Sequence, residues 1–186
     1  MGEPRRWQEE DVEESNFEVE AFLTTKEESK GCMVLDSGAT EGVGSMEALD
    51  ALQEERLKQG LHTDMVLEDG KTTRFRFGNG ETRISKGEVK IGIETEGKQK
   101  KNIKLKTLDL AGKYVPLLGS VNMLKRMDAV VDFGNGEIIM PAITGTRVLK
   151  LKEAKSGHLM LDLVGDLREA NKRTATTPSR LSKVAA

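Results

Sequence analysis

The amino-acid sequence predicts one small, mainly β domain flanked by polar tails. The chain has 186 residues, of which 37% are hydrophobic, enough for one modest core and too few for two full domains. Aromatic residues make up only 4%, so Leu, Val, Ile and Met must build that core. Short apolar runs and alternating stretches fill the middle of the chain, and such patterns are typical of strands.

The first predicted element is a buried strand. Cys32-Met33-Val34-Leu35 is a continuous apolar run, which suits a strand that is buried on both faces. The run ends at Asp36-Ser37-Gly38. Residues 45–60 follow with apolar side chains at three-residue spacing, Ser45 as a helix N-cap and Gly60 as a stop. We therefore expect a strand and then an amphipathic helix.

The next predicted element is a hairpin. Residues 74–77 and 88–93 alternate in polarity, which predicts two half-buried strands. Gly78-Asn79-Gly80 lies between them, and an Asn-Gly step tolerates the positive φ angles of a tight turn. We place the hairpin tip near Asn79.

The remaining predicted elements follow in order. They are strands at residues 103–107 and 114–119, a short helix at 121–127, a strand pair at 129–133 and 137–140, and outer strands near 148–149 and 159–163. The expected organisation is an acidic, disordered tail at residues 1–30, a domain at 31–142, a peripheral β-hairpin extension at 143–166 and a basic, disordered tail at 167–186.

Charge and cysteine content limit the function classes. The net charge is −2, so no global field draws the protein towards nucleic acid or membranes, although the basic tail could bind nucleic acid weakly. The lone Cys32 excludes an internal disulfide, and His62 and His158 give no zinc spacing. We expect neither metal nor cofactor. No apolar run is long enough to span a membrane, so we expect an intracellular, cytoplasmic protein.

Asp36 is the candidate catalytic residue. A buried strand leads into it, a small hydroxyl residue follows, and Gly38 lets the backbone turn close to the carboxylate. Amide hydrolysis without a metal needs one group to take a proton from water and another to protonate the oxyanion, and two close carboxylates can do both. Asp-Ser-Gly is also a good loop tripeptide, so the motif alone leaves a structural role open.

The order of motifs along the chain resembles that of retropepsin-like aspartic proteases. Met33-Val34-Leu35-Asp36-Ser37-Gly38-Ala39-Thr40 is similar to their catalytic loop, and Val115-Pro116-Leu117-Leu118-Gly119 is similar to their later glycine-terminated strand. The hairpin at Gly78-Asn79-Gly80 lies where those enzymes have a flap. The match covers residues 31–140, and the nearest family is the protease region of retrotransposon polyproteins, copia-type or retroviral-like.

The resemblance implies a fold and a role for each residue. It implies a closed β-barrel of the acid-protease type, with the helix at residues 45–60 inserted and a short C-terminal helix. It also implies that two copies of the chain each supply one catalytic aspartate for cleavage of a peptide or polyprotein. The implied catalytic residues are Asp36, Ser37 and Gly38, the implied substrate-binding residues are Ala39, Phe77, Gly78, Asn79 and Gly80, and the implied supports of the site are Leu117, Leu118 and Gly119.

Other interpretations of the sequence remain open. Val130-Val131-Asp132-Phe133-Gly134 imitates the catalytic motif, but Phe133 has no hydroxyl group and a hairpin turn follows at once, so we expect Asp132 to be structural. A catalytically inactive module that binds peptides or dimerises is the main alternative function. A nucleic-acid-binding fragment led by the basic tail is a third.

Overall fold

The computed structural model describes residues 24–61, 65–76, 80, 82–94, 100–110 and 113–165. Its helices are α1 (Lys26–Ser29), α2 (Met46–Lys58), α3 (Val121–Arg126) and α4 (Pro141–Thr144). Its strands are β1 (Cys32–Asp36), β2 (Val43–Ser45), β3 (Met65–Asp69), β4 (Arg74–Arg76), β5 (Thr82–Ile84), β6 (Gly87–Glu94), β7 (Lys100–Leu108), β8 (Leu117–Ser120), β9 (Val130–Asp132), β10 (Glu137–Ile139), β11 (Val148–Lys150), β12 (Lys152–Glu153) and β13 (Leu159–Asp162).

One mixed sheet organises the molecule. Eight strands lie in the order β12-β13-β1-β8-β2-β7-β6-β3, while β11-β10-β9 and β4-β5 form two smaller sheets. β1 runs parallel to β8 and antiparallel to β13. The mainly β prediction is confirmed. The order of the main sheet begins at β12 and ends at β3, and the described strands do not show the closed barrel that the resemblance implies.

β1 lies between two hydrophobic clusters. Met33 and Leu35 belong to the larger cluster, and Cys32 and Val34 belong to the smaller one. Successive side chains of a strand point to opposite faces, so the alternation follows from the strand geometry. All four residues are buried, as expected for an apolar run without polar positions.

α2 covers the larger cluster. Ser45 is its N-cap, and the Ser45 Oγ accepts a hydrogen bond from the Ala48 N–H at 3.2 Å. Leu49 and Leu52 of α2 are buried in the cluster. The chain leaves the helix through Gly60, whose φ of 67° is a conformation that favours glycine. The N-cap and the glycine stop are the residues that the sequence indicated.

Strand pairing around the hairpin differs from the expectation. β4 pairs with β5, from Arg74↔Ile84 to Arg76↔Thr82, whereas residues 88–93 lie in β6 and pair with β3 and β7. Ser85 lies between the β4–β5 pair and β6. Its Oγ accepts a hydrogen bond from the Thr73 N–H at 2.7 Å, and its N–H donates to the Thr73 carbonyl at 2.8 Å. The hairpin is therefore a short unit at residues 74–84.

Both ends of the described chain are more structured than the sequence suggested. α1 lies within the expected acidic tail and begins with a capping box, in which the Thr25 hydroxyl group accepts the Glu28 N–H and the Glu28 carboxylate accepts the Thr25 N–H. β13 was expected at the periphery but pairs with β1 inside the main sheet. The basic tail at 167–186 lies outside the described residues.

Asp162 ends β13 and ties it to its neighbours. Its Oδ2 accepts a hydrogen bond from the Lys152 Nζ at 2.6 Å, and its Oδ1 accepts the N–H groups of Val164 and Gly165 at 2.8 and 2.7 Å. Burial alone would raise the pKa of Asp162, but the Lys152 ammonium and the two N–H groups outweigh it, and the pKa is lowered from its ordinary value.

The lowered pKa predicts how stability changes at acid pH. The ionised form of Asp162 stabilises the fold fully above its unfolded pKa, about 4, and this contribution is lost as pH falls through the lower folded pKa. Wild-type protein should therefore lose more of its free energy of unfolding between about pH 5 and pH 3 than Asp162→Asn, as measured by urea unfolding. Asp50→Asn, at an exposed position on α2, is the control and should follow the wild type. If the free energy of unfolding fell equally with pH in wild type and in Asp162→Asn, the prediction would be contradicted.

Candidate active site

Asp36 is the last residue of β1, at the point where the buried strand reaches solvent. Its side chain is half-buried, and its Oδ1 accepts the N–H groups of Gly38 at 2.8 Å and of Ala39 at 3.2 Å. A Cβ atom at Gly38 would lie 3.3 Å from this oxygen, so glycine permits the close approach of backbone and carboxylate. The loop therefore holds its own aspartate in one orientation.

β8 and α3 hold the loop from the other side. Asp36 lies beside Ser120 in the parallel pairing of β1 with β8. The Ala39 carbonyl accepts the Val121 N–H at 3.0 Å, and the Thr40 carbonyl accepts the Asn122 Nδ2 at 2.8 Å. The first turn of α3 thus fixes both residues that follow the Asp36 turn. Sequence reasoning missed Asn122, since no local pattern links it to Thr40.

The three residues expected to support the site lie in β8, beside β1. Leu117 is buried in the larger cluster and Leu118 in the smaller one. Gly119 pairs with Leu35, and a Cβ atom there would lie 2.7 Å from the Met123 Cε. These contacts give the segment a packing role, and its support of the site stays a prediction.

A cavity of about 470 Å³ opens at the Asp36 loop. Its apolar side consists of Val34, Val43, Pro116 and Leu118, and its loop side consists of Asp36, Gly38, Ala39, Thr40 and Glu41. Residues 74–76 of β4 and the preceding Thr73, with Thr24 and His158, complete the lining. Ala39 borders this cavity, and its role in substrate binding stays a prediction. Ser37 is exposed on the loop and is not part of the described lining.

The hairpin borders this cavity and is anchored by Phe75. Phe75 is half-buried and packs against the smaller hydrophobic cluster, which also contains Val34 and Leu118. Phe77, Gly78 and Asn79, which were expected to close over a substrate, lie outside the described residues. Gly80 is described, is exposed and has a φ of 81°. The role of these four residues stays a prediction.

His158 borders the same cavity as Asp36 and directly precedes β13, the antiparallel partner of β1. The His158 Nδ1 lies 2.8 Å from the Ser156 Oγ. No local pattern in the sequence signals the position of His158 at the cavity.

The look-alike aspartate, Asp132, has a different role. Its Oδ1 accepts the Asn135 N–H at 3.1 Å and its Oδ2 accepts the Asn135 Nδ2 at 2.9 Å, so it closes the β9–β10 turn. The carboxylates that border the cavity belong to Asp36 and Glu41. In the part of the chain that the structure describes, no group of three or more His, Cys, Asp or Glu residues could hold a metal ion. None of the described helices is both long and apolar enough to cross a membrane.

Comparison with known proteins gives a likeness in structure without a match in sequence. No protein-family model matches the sequence, and no curated protein matches it. Among solved structures, the chain is similar to the retroviral protease-like domain of Ddi1 from Leishmania major, at 12% sequence identity and a TM-score of 0.34 over 71% of this chain and 88% of that chain. A likeness at this identity and TM-score carries no weight for function.

Proposed function

We propose that this chain is an aspartic-type endopeptidase of the retropepsin kind, with a catalytic pair formed by Asp36 of two copies. The observation that carries the proposal is the setting of Asp36. The carboxylate stands at the end of a buried strand, its Oδ1 is held by two backbone N–H groups, and it borders a cavity of about 470 Å³ beside a hairpin. This is a fixed carboxylate with room for a substrate next to it.

Two such carboxylates would carry out hydrolysis by moving protons. Held close together, they repel each other's charge, so the pair retains one shared proton. The ionised member takes a proton from water as the water oxygen attacks the peptide carbonyl carbon, and the protonated member donates its proton to the carbonyl oxygen. The tetrahedral intermediate then collapses: the C–N bond breaks, the nitrogen takes the proton that the pair holds, and one hydroxyl group of the intermediate returns a proton to the other carboxylate, which leaves a carboxylic acid, an amine and a pair with one shared proton.

The second carboxylate would come from a second copy of the chain. Within one copy, Asp132 is engaged in the β9–β10 turn, and among the described residues Glu41 is the carboxylate that borders the cavity beside Asp36. Glu41 is exposed and follows the loop rather than a strand, so nothing described fixes it against Asp36. A homodimer that joins two Asp36 loops supplies two equivalent, preorganised carboxylates.

The substrate would be an extended peptide. A peptide between the loop and the β4–β5 hairpin would add backbone hydrogen bonds in the manner of an extra strand, while its side chains enter the cavity. The resemblance to retrotransposon proteases extends the proposal to a polyprotein that contains this domain. Ser37 would then link the two loops across the dimer, and the tip from Phe77 to Gly80 would close over the peptide.

A peptide-library assay at mildly acidic pH tests the proposed function. We expect cleavage within extended peptides and full inhibition by pepstatin, because pepstatin mimics the tetrahedral state formed at an aspartate pair. Cleavage that resists pepstatin would contradict an aspartic mechanism. Peptide binding without any cleavage, at protein concentrations that give a dimer, would instead favour the inactive binding module.

A further inference from the structure

A second cavity, of about 360 Å³, lies between β7 and α3. Its apolar lining includes Ile103, Leu105 and Met123. Cations outnumber carboxylates among the described lining residues, with Lys101, Lys104, Lys106 and Arg126 against Glu41 and Glu88. We call this cavity the β7 groove. It combines an apolar floor with an excess of positive charge.

The β7 groove exists because β2 covers only one end of β7. β6 pairs with nearly the whole of β7, whereas β2 pairs with it only from Lys106 onward. The Lys106 N–H donates to the Gly42 carbonyl at 2.8 Å, so the backbone groups of Lys106 point towards β2. Backbone groups two residues apart point to the same side of a strand, so those of Lys104 and Asn102 point to this side as well. Among the described strands, none pairs with β7 at Asn102 on this side.

The two faces of this strand edge differ in chemistry. Ile103 and Leu105 are buried in the larger hydrophobic cluster. Lys104 and Lys106 alternate with them and lie on the other face, where their Nζ atoms are 4.0 and 3.1 Å from the Glu88 carboxylate. A strand added to this edge would place every second side chain against the cluster and the others beside the lysines. The edge therefore fits a strand in which apolar and acidic residues alternate.

The chain itself contains a segment with this alternation. Phe17, Val19 and Ala21 alternate with Glu18 and Glu20, within and directly after the acidic stretch at residues 9–20. Residues 17–21 lie outside the described part of the chain. Their sequence supplies both properties that the β7 groove requires, apolar side chains on one face of a strand and negative charge on the other.

The position of Thr24 favours a second copy as the source of this segment. The Thr24 hydroxyl group lies 3.4 Å from the Ser156 Oγ, in the turn between β12 and β13. From β13 to β7 the main sheet has four strand spacings, or about 19 Å along the sheet. Ala21 is three residues before Thr24, a reach of at most about 11 Å. A segment from another copy is free of this limit.

We propose that residues 17–21 of one copy add as a strand to the edge of β7 in a second copy. Backbone hydrogen bonds to Asn102 and Lys104 would hold the strand, as in other cases of strand addition. Glu18 and Glu20 would lie beside the lysines, and Val19 would face the apolar floor. The contact does not involve the Asp36 carboxylate, so it is independent of the proposed hydrolysis.

Cross-linking between copies tests both the strand and its orientation. Full-length Asn102→Cys, with a size tag, is mixed with full-length Glu18→Cys or Glu20→Cys, and mixed disulfide dimers are measured on non-reducing gels after mild oxidation. Opposite residues of paired strands have Cα atoms about 4.5–5.5 Å apart, a separation that a disulfide spans. We expect a mixed dimer with at least one glutamate variant. Val19→Cys is the matched control and should give roughly fivefold less, because its side chain would point to the other face.

Charge reversal tests the role of the cations. A fluorescent peptide of residues 14–23 is titrated with full-length Val19→Asp, whose own segment no longer fits the apolar floor, and fluorescence anisotropy measures the Kd. Adding Lys101→Glu with Lys104→Glu should weaken binding roughly fivefold or more. Lys113→Glu with Lys125→Glu is the control, because it reverses two exposed cations that do not border the β7 groove, and it should leave the Kd unchanged.

Three results would overturn the proposal. They are the absence of mixed dimers, equal cross-linking by Val19→Cys, and peptide binding that is absent or unaffected by charge reversal in the groove. A chain that carries both Glu20→Cys and Asn102→Cys and links only within itself would also overturn it, because the segment would then come from the same copy. None of these measurements depends on cleavage. Mixed dimers without peptide hydrolysis would remove only the proposed function, and hydrolysis without mixed dimers would remove only this inference.

Discussion

Asp36→Asn should lower the rate of peptide hydrolysis by roughly 10²- to 10⁴-fold, the loss typical of removing a general acid–base group. The asparagine Oδ1 can still accept the N–H groups of Gly38 and Ala39, so the loop should keep its shape. Circular dichroism and the urea midpoint of the variant should therefore match the wild type. Asp132→Asn is the matched control, because it changes the look-alike aspartate in the β9–β10 turn, and it should retain activity within about twofold. Undiminished hydrolysis by Asp36→Asn would refute the assignment.

Mixing subunits tests whether two copies share one site. Excess Asp36→Asn protein should lower wild-type activity well below the value expected if the variant only diluted the wild type. The reason is that a mixed dimer has only one Asp36 carboxylate. At low concentration the wild-type rate should also rise with more than the first power of protein concentration. A linear rate, with no inhibition by the variant, would place the second carboxylate in the same chain. Glu41 would then be its candidate, and Glu41→Gln would abolish cleavage.

Local patterns in the sequence were enough to predict the elements that carry Asp36. The apolar run before it has no polar position, so β1 had to be buried on both faces, and the two clusters on either side of β1 show this. Ser45 could be predicted as an N-cap because its hydroxyl group satisfies an N–H of its own helix. Such interactions join residues that are three or four positions apart, so the residue types that form them can be recognised in the sequence.

Contacts between distant segments could not be predicted in this way, because no local pattern in the sequence indicates them. Periodicity indicated a strand at residues 88–93 but could not choose β3 and β7, rather than β4, as its partners. His158 and Asp36 border the same cavity although they are far apart in sequence, and the hydrogen bond from Asn122 to Thr40 spans 82 residues. α1 is a different case, because Thr25 and Glu28 have the spacing of a capping box and could have predicted it.

The second large effect is expected on the free energy of unfolding when Leu117 is replaced, because its side chain is closely packed. Leu117 is 2% exposed, lies beside Met33 in the β1–β8 register and contacts β2 at Gly44. Leu117→Ala should lower the free energy of unfolding by about 2–5 kcal/mol, because it removes buried methyl groups and leaves a cavity. Gly44→Ala should also destabilise, by about 1–3 kcal/mol, because its Cβ would lie 2.5 Å from the Leu117 Cδ2 and that side chain would have to move.

The double variant distinguishes this contact from a general loss of stability. In Gly44→Ala with Leu117→Ala, the new methyl group enters space that the leucine has left, so the combined loss should be smaller than the sum by about 1 kcal/mol or more, as measured by urea unfolding. Gly44→Ala with Leu149→Ala is the control, because Leu149 is a buried leucine of β11, outside the main sheet, and its effect should add to that of Gly44→Ala. Strict additivity for Gly44 and Leu117 would mean that the two strands do not pack as the structure shows.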